Sequence, residues 1–533
     1  MSVDLHSDIE LPLVRGAEPQ KLTFIKVLHF LYLLIPRLFI VGPLRLIWHH
    51  VFYRFFSSHV QVIGTTALSS FVRNLVQYLL SRGDAAQTRI LFDRVKSYER
   101  IWTQSPYCKK SRDWLSYVKV NGTAGRWIAK PGTDRAKDDV VVYFIHGGGF
   151  VVDTGSNAQE LLTSVAKEFN LKRNVQCSIF CLDYRLAPEY KYPSQLIEAV
   201  AGYQYLVNTL KIEESKILLG GDSAGGNLVA ALLLHLARPA KEIKTPEQLG
   251  KLPGRPGAAL LISPMVNVAS RAKSYTTNAS YDYIYPSSAL RVACDYVGVA
   301  PPPSQDISYL SFNPLSLFTL PSFNFPKGLL EQNYTSNEGA WRGWKGAELF
   351  KNPYINPSII QDDEWWKEAC PSGGSTAVCW GGKEIFADDD EALYHTLGRA
   401  GVEPTKIYAE LRAHDWILHD WSVPTSWKSN SKGPDNDPYY GFKSICKMLD
   451  RLASDSKQSS QKKLTDSSST SKSSKSAKKS DNYERKGQDD GSYAAAASHA
   501  PTSDSSIVVN EGEGDVNHLT KSMGESGVLV EKE

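Results

Sequence analysis

Residues 217–226 read ILLGGDSAGG, and the chain runs on as GNLVAALLLHLAR from Gly226 to Arg238. An apolar run ends in Gly221-Asp222-Ser223-Ala224-Gly225 and passes directly into a helical pattern, which is the G-x-S-x-G arrangement. A strand that turns this abruptly into a helix forces its central residue into a strained conformation. Small neighbours let the backbones approach, while the Ser223 hydroxyl projects above the sheet. Ser223 is therefore the candidate nucleophile. A glycine-rich serine turn is common on its own; the strand before it, the helix after it and a second glycine-rich motif upstream give this one its meaning.

Outward from this turn the pattern alternates. WLSYVKV and RWIAK predict a leading hairpin. VVVYFI (140–145), SIFCLD (178–183), KILLG (216–220), ALLIS (259–263), TAVCW (376–380) and TKIYAEL (405–411) predict buried or half-buried strands. Helical patterns lie between them at 158–169, 194–210, 225–237 and 389–400. Repeated strand-helix alternation implies an α/β protein, a mostly parallel sheet covered by helices, with ligands bound beyond the carboxyl ends of the strands.

An activated serine needs a base, an orienting acid and donors for the oxyanion that forms when it attacks a carbonyl. His146-Gly147-Gly148-Gly149-Phe150 follows VVVYFI directly. Its glycines let N–H groups point into a site unobstructed, so the expected donors are Gly148, Gly149 and, after the nucleophile, Ala224. His146 is expected to orient this loop, with Gly147 and Asp222 as supporting motif positions. The candidate base is His414, which follows TKIYAELRA; His419, five residues on, competes. The acid is expected after TAVCW, where Glu384, Asp388, Asp389 and Asp390 are available. Glu384 is the first carboxylate after the strand and its glycines. Asp388 is the alternative, although Asp388–Asp390 suit a helix N-terminus. The order Ser, Glu, His is that of the G-x-S-x-G hydrolases. No metal and no cofactor is needed for this chemistry.

HGGGF (146–150), DYRLAPE (183–189), GDSAGG (221–226), ISPMVNV (262–268) and the segment from EIFADD to HDW resemble the hormone-sensitive-lipase family of α/β-hydrolases over roughly residues 113–450. With the apolar N-terminal segment, the layout is similar to membrane-bound arylacetamide deacetylases and fungal steryl acetyl hydrolases. The resemblance implies an α/β-hydrolase fold with helices on both faces of the sheet, a serine ester hydrolase, and a cap built from N-terminal helices and an insertion. Asp is the more usual acid in this family, and Glu384 departs from it. Within DYRLAPE, Asp183, Arg185 and Glu189 are expected to hold the loop by ion pairs.

The remaining regions set the context. A polar stretch, 1–22, precedes the most apolar part of the chain, 23–56, read as a membrane anchor that spans or re-enters, with a helix pair lying in the interface as the rival. Basic residues flank both sides of it, so the side of the membrane stays open. Residues 57–112 look helical and amphipathic, either ordinary packing or a lid. Within the hydrolase domain, 113–452, the aromatic and Pro-rich stretch at about 266–372 reads as a cap insertion lining an apolar pocket. The Ser/Lys-rich tail, 453–533, is expected to be disordered. A net charge of +3 with no dense basic stripe argues against nucleic acid. Seven scattered cysteines without a CxxC pair argue against a zinc site or a disulfide framework. The expected partners are an apolar ester substrate and membrane lipid, at the endoplasmic-reticulum membrane. Two further function classes use the same residues: an amidase, and a non-catalytic ligand-binding relative, whose sign would be a broken triad.

Overall fold

The computed structural model describes residues 9–47, 67–301, 344–418 and 434–476. The chain divides into two units, Met1–Asp466 and Ser467–Glu533. Of the second, only the helical residues 467–476 are described.

One eight-stranded sheet organises the first unit, in the order β1-β2-β4-β3-β5-β6-β7-β8. The strands are β1 (Leu115–Val120), β2 (Thr123–Ile128), β3 (Val140–Ile145), β4 (Cys177–Leu182), β5 (Ile217–Asp222), β6 (Ala258–Ile262), β7 (Thr376–Gly381) and β8 (Thr405–Ala409). The β1–β2 hairpin pairs antiparallel with β4, and every pairing from β4 to β8 is parallel. All residues of β3 through β7 are buried, which requires cover on both faces and explains their continuous Val/Ile/Leu runs. β1 and β8, at the edges, mix exposed, half-buried and buried positions.

The helices are α1 (Phe24–Pro36), α2 (Gly42–Ile47), α3 (Ala67–Arg82), α4 (Ala85–Leu91), α5 (Arg94–Gln104), α6 (Gly155–Lys167), α7 (Ser194–Gln204), α8 (Ala224–Ala237), α9 (Ser274–Thr277), α10 (Pro286–Val297), α11 (Lys345–Leu349), α12 (Asp363–Ala369), α13 (Ala387–Arg399) and α14 (Tyr440–Ser476). α8 follows the nucleophile turn and is apolar nearly all round, as a helix at the centre of a core should be.

Four regions differ from the sequence expectation. Residues 9–20 dock along the DYRLAPE loop: Lys191 N–H donates to Val14 O at 3.1 Å, Gly16 N–H to Glu189 O at 2.9 Å, and Leu11 and Leu13 pack on the core. Their polar composition hid a backbone-mediated contact. The apolar stretch Phe24–Leu44 is long enough to cross a membrane, yet one of its faces packs on the protein. Phe30 and Leu33 meet Tyr78 and Leu79, and Arg37 lies 3.8 Å from the Tyr78 ring centroid. Pro36, which has no N–H for the helical ladder, precedes a π-turn at Arg37–Val41. The rest of the expected anchor, 48–56, lies outside the described residues.

The expected insertion 266–372 is not one structural piece. Its central part, 302–343, lies outside the described residues, and α12 rejoins the helical layer beside the sheet, where Trp365 Nε1 donates to Leu234 O at 3.1 Å. Finally, α14 extends through 453–476, where disorder was expected. No Pro or Gly interrupts it after Gly441, and the buried Leu452, Ala453 and Ser456 continue its packed face. The remainder of that tail, 477–533, is outside the described residues.

Candidate active site

The turn after β5 places Ser223 at φ 53° and ψ −117°, a left-handed conformation for a non-glycine residue. It survives because its surroundings fix it. Ser223 N–H donates to Ile262 O at 2.8 Å and its carbonyl accepts from Met265 N–H at 3.0 Å. The flanking glycines are required by contact: a methyl on Gly225 would sit 2.0 Å from Ile145 O, and one on Gly221 would sit 2.7 Å from the same oxygen.

The HGGGF loop lies against this turn. Gly147 N–H donates to Asp222 Oδ1 at 3.0 Å, and a methyl on Gly147 would come within 3.0 Å of Ser223 Cβ. Gly148 (φ 101°) and Gly149 (φ 60°) have positive φ, a conformation open to glycine. The N–H groups of Gly148, Gly149 and Ala224 have no acceptor among the described residues. His146 is buried, stacks on Tyr184 at 4.2 Å, and its Nδ1 lies 2.7 Å from Gly147 O. Burial pushes its imidazole down to about 4, so it is neutral near pH 7.

The N-terminal helices brace these loops. Arg94 on α5 donates to Asp153 Oδ2 at 2.5 Å and to Tyr184 O at 3.1 Å. Arg89 on α4 reaches Glu189 with both terminal nitrogens at 2.8 Å and Ala187 O at 2.7 Å. Asp183 pairs with the buried Arg126 at 2.8 Å, and Arg185 with Glu198 at 2.7 Å. From the other side, α10 sets Tyr296 on Phe150 with centroids 3.7 Å apart. α3 is tied to the segment before α10 by Gln77 Nε2, which donates to Ala279 O at 2.6 Å and Asp282 O at 2.9 Å.

His414, on the loop after β8, is fully buried with Glu384, and its Nδ1 lies 3.3 Å from Glu384 Oε2. Phe386 and Tyr283 flank the ring, with centroids 5.0 and 5.7 Å away. Glu384 Oε1 accepts from Gly381 N–H at 3.2 Å. Asp388 faces elsewhere: its Oδ2 accepts from Ser274 N–H at 2.8 Å, and Asp389 accepts from Asn267 at 3.0 Å. Asp390 is fully buried beside Glu384, and burial drives its carboxyl well above the usual range. His419 lies outside the described residues.

Sequence reasoning missed two carboxylates here. Asp282 joins the insertion to the acid: its Oδ2 accepts from Ile385 N–H at 2.7 Å. Asp415 stands 3.3 Å from His414 Nε2, on the opposite side of the ring from Glu384. Burial pushes the His414 imidazolium down, but Asp415, Glu384 and Asp282 outweigh it and raise the ring to about 10. The signals were present as the Asp of HDW and the Asp of SYDYIY, but neither spacing pointed to the base. The loops that carry His414 and Ser223 meet at β6. Asp415 N–H donates to Ser263 Oγ at 3.0 Å, one residue beyond the Ile262 carbonyl that holds Ser223. Among the described residues, no cluster of His, Cys, Asp and Glu has metal-site geometry, and all seven cysteines are buried and unpaired.

A family profile described as an alpha/beta hydrolase fold matches residues 141–322, from β3 through both glycine motifs into the insertion. The fold is that of an α/β-hydrolase, and the chain is similar to members of the hormone-sensitive-lipase family. Among its relatives are Esterase LipU of Mycobacterium tuberculosis, 30% identical over 30% of this chain and 45% of LipU, and an esterase of Acinetobacter venetianus, 28% identical over 36% and 54%. Bovine hormone-sensitive lipase is 32% identical over 24% of this chain and 16% of its own length. The chain thus spans about half the length, or less, of these curated relatives. Among solved structures, an esterase of the bacterial hormone-sensitive-lipase family aligns over 72% of this chain and 97% of its own, with 22% identity and a TM-score of 0.45.

Proposed function

We propose that this chain is a serine carboxylic-ester hydrolase acting on apolar esters. The observation that carries the reading is the strained Ser223, set beside N–H groups of Gly148, Gly149 and Ala224 that have no acceptor among the described residues, at the same carboxyl end of the sheet as the His414–Glu384 pair. His414 takes the Ser223 hydroxyl proton while Glu384 fixes the ring and its tautomer. The serine oxygen attacks the carbonyl, and the three N–H groups hold the oxyanion. His414 then protonates the departing alcohol, and water releases the acyl group by the same steps in reverse.

The apolar character of the substrate is inferred from the N-terminal segment. α1 and the helical turns after it turn Phe24, Leu28, Leu31, Ile35, Phe39 and Leu44 outward. Their inner face is tied to the protein by Lys26–Asp84 at 2.6 Å and by Gln87, which donates to Lys26 O at 2.8 Å. A helix fastened along one face with its apolar side bare suits a lipid interface better than a free span. We therefore read this protein as membrane-associated through this face. Sterol acetates or other short acyl esters fit such a setting, and the endoplasmic-reticulum membrane is the proposed location.

The test is labelling of purified wild-type and Ser223→Ala protein with a fluorophosphonate, together with hydrolysis of p-nitrophenyl acetate and a sterol acetate. Labelling and turnover that disappear with Ser223→Ala are expected. A folded wild type that takes no label would overturn the enzyme reading in favour of a ligand-binding relative. Flotation with phosphatidylcholine vesicles tests the membrane reading: wild type should float, and a Leu31→Ser/Phe39→Ser double variant should not.

A further inference from the structure

We propose that Asp415 is a second carboxylate on the base: it captures His414 Nε2, and this contact has to open before Ser223 can pass its proton to the ring. This rests on the reading of Ser223, His414 and Glu384 as nucleophile, base and acid. In a Ser-His-acid triad one ring nitrogen faces the acid and the other the serine. Here Nδ1 lies 3.3 Å from Glu384 and Nε2 lies 3.3 Å from Asp415 Oδ2. Among the described residues, Nε2 makes no hydrogen bond to Ser223 Oγ or to Asp415; the Asp415 carboxylate is its ion-pair neighbour.

Asp415 is held in that place by its backbone. It sits at φ 53°, a left-handed conformation that Asp and Asn tolerate better than most residues, with its N–H on Ser263 Oγ. Among the described residues its buried Oδ1 has no hydrogen-bond partner, so no other described group competes with the imidazole for the side chain. The titratable groups that face it come from five elements: His414 on its own loop, Asp222 at the end of β5, Cys379 on β7, Glu384 and Asp390 around the start of α13, and Asp282 with Tyr283 before α10. Among them His414 is the one base, so a proton shared between Oδ2 and Nε2 relieves the crowding of carboxylates. Burial and the neighbouring acids drive the Asp415 carboxyl well above its ordinary range, and His414 opposes them. With the proton on either partner, the Asp415 carboxyl stands on the side of the ring that Nε2 faces. Asp415 is thus a positioning residue that sets when the base is available.

The sign of the pH effect follows. Ser223 is activated by the neutral imidazole, and a carboxylate beside the ring favours the imidazolium, so Asp415 moves the acid limb of the rate profile to higher pH. The experiment measures the rate of fluorophosphonate labelling and of p-nitrophenyl acetate hydrolysis across pH for the full-length wild type, Asp415→Asn and Asp415→Gly. Both replacements accept the left-handed backbone. The expected result is a midpoint lowered by about one unit or more in both, with labelling about tenfold faster on the acid side. Wild-type labelling with an unchanged midpoint in both variants would overturn the role of Asp415. Folded wild type that takes no label at any pH would instead remove the underlying serine-hydrolase reading. Thermal melting is recorded alongside, and if the glycine variant does not fold, the asparagine variant decides.

Discussion

The nucleophile side and the base side of this site are built by different means. Around Ser223 the construction is backbone: a left-handed serine, glycines whose missing Cβ atoms leave room for Ile145 O, and three N–H groups without acceptors among the described residues. Around His414 the construction is side chain. One imidazole is surrounded by Glu384, Asp415, Asp282 and Asp222, with Asp390 behind the acid. A backbone device is specified by a few contiguous residues and tolerates almost no added volume. A cluster of acids drawn from separate segments can be altered in charge without altering shape.

That contrast can be broken or sharpened by substitution. The largest effect is expected from Gly225→Ala, because the new methyl meets main-chain oxygen that cannot move aside. Stability should fall by about 3 kcal/mol and fluorophosphonate labelling should be lost, as read by denaturant melts and in-gel fluorescence. A stable, labelled variant would break the claim that the turn is fixed by contact. Next comes Glu384→Gln, which keeps volume and removes charge. Turnover of p-nitrophenyl acetate should drop about 10²- to 10⁴-fold, with the melting temperature little changed.

Arg94→Met tests the brace beneath the HGGGF loop. Burial opposes ionisation of Asp153, but His146, Arg94 and Arg126 outweigh it and hold its carboxyl well below the usual range. The stabilisation is present above about pH 4, the ordinary Asp value, and is lost as pH falls below it. Removing Arg94, whose side chain is 31% exposed, should cost about 2 kcal/mol near pH 7 and flatten the acid end of the stability profile. The smallest effect belongs to Asp388→Asn. Asp388 supports Ser274 rather than His414, so kcat should stay within about threefold of wild type, with a stability loss of about 1 kcal/mol. A collapse in turnover would exchange the roles of Asp388 and Glu384.

The same division explains what could be read from the sequence. The five parallel strands β3 to β7 were legible because burial on both faces demands unbroken apolar runs, and Ser223 because its turn is written in adjacent glycines. Glu384 was readable as the candidate acid from its place after β7, and its neighbour Asp388 is separable only by the direction of its side chain. Asp415 and Asp282 were not legible, since their relation to His414 comes from loops meeting at the sheet edge. Arg89 and Arg94 looked like ordinary polar positions on amphipathic helices. The docking of residues 9–20 left little side-chain pattern because, apart from Leu11 and Leu13 on the core, main-chain groups carry most of it. The helical continuation to Ser476 was concealed by composition, which reports propensity poorly when packing anchors one end.

The ion pairs of α4 and α5 bear on how the protein can be handled. A fragment trimmed to the sheet, beginning near residue 113, would retain every residue of the proposed triad and discard Arg89 and Arg94. Asp153 would keep a distant Arg126 at 3.8 Å, and Glu189 would lose its bidentate partner. One loop that frames the serine would then carry a carboxylate without its cation, and the other a carboxylate left with the more distant of its two arginines. A soluble form is better sought by repainting the outward side of α1, at Phe24, Ile25, Leu28, Leu31 and Ile35, than by cutting the helices away.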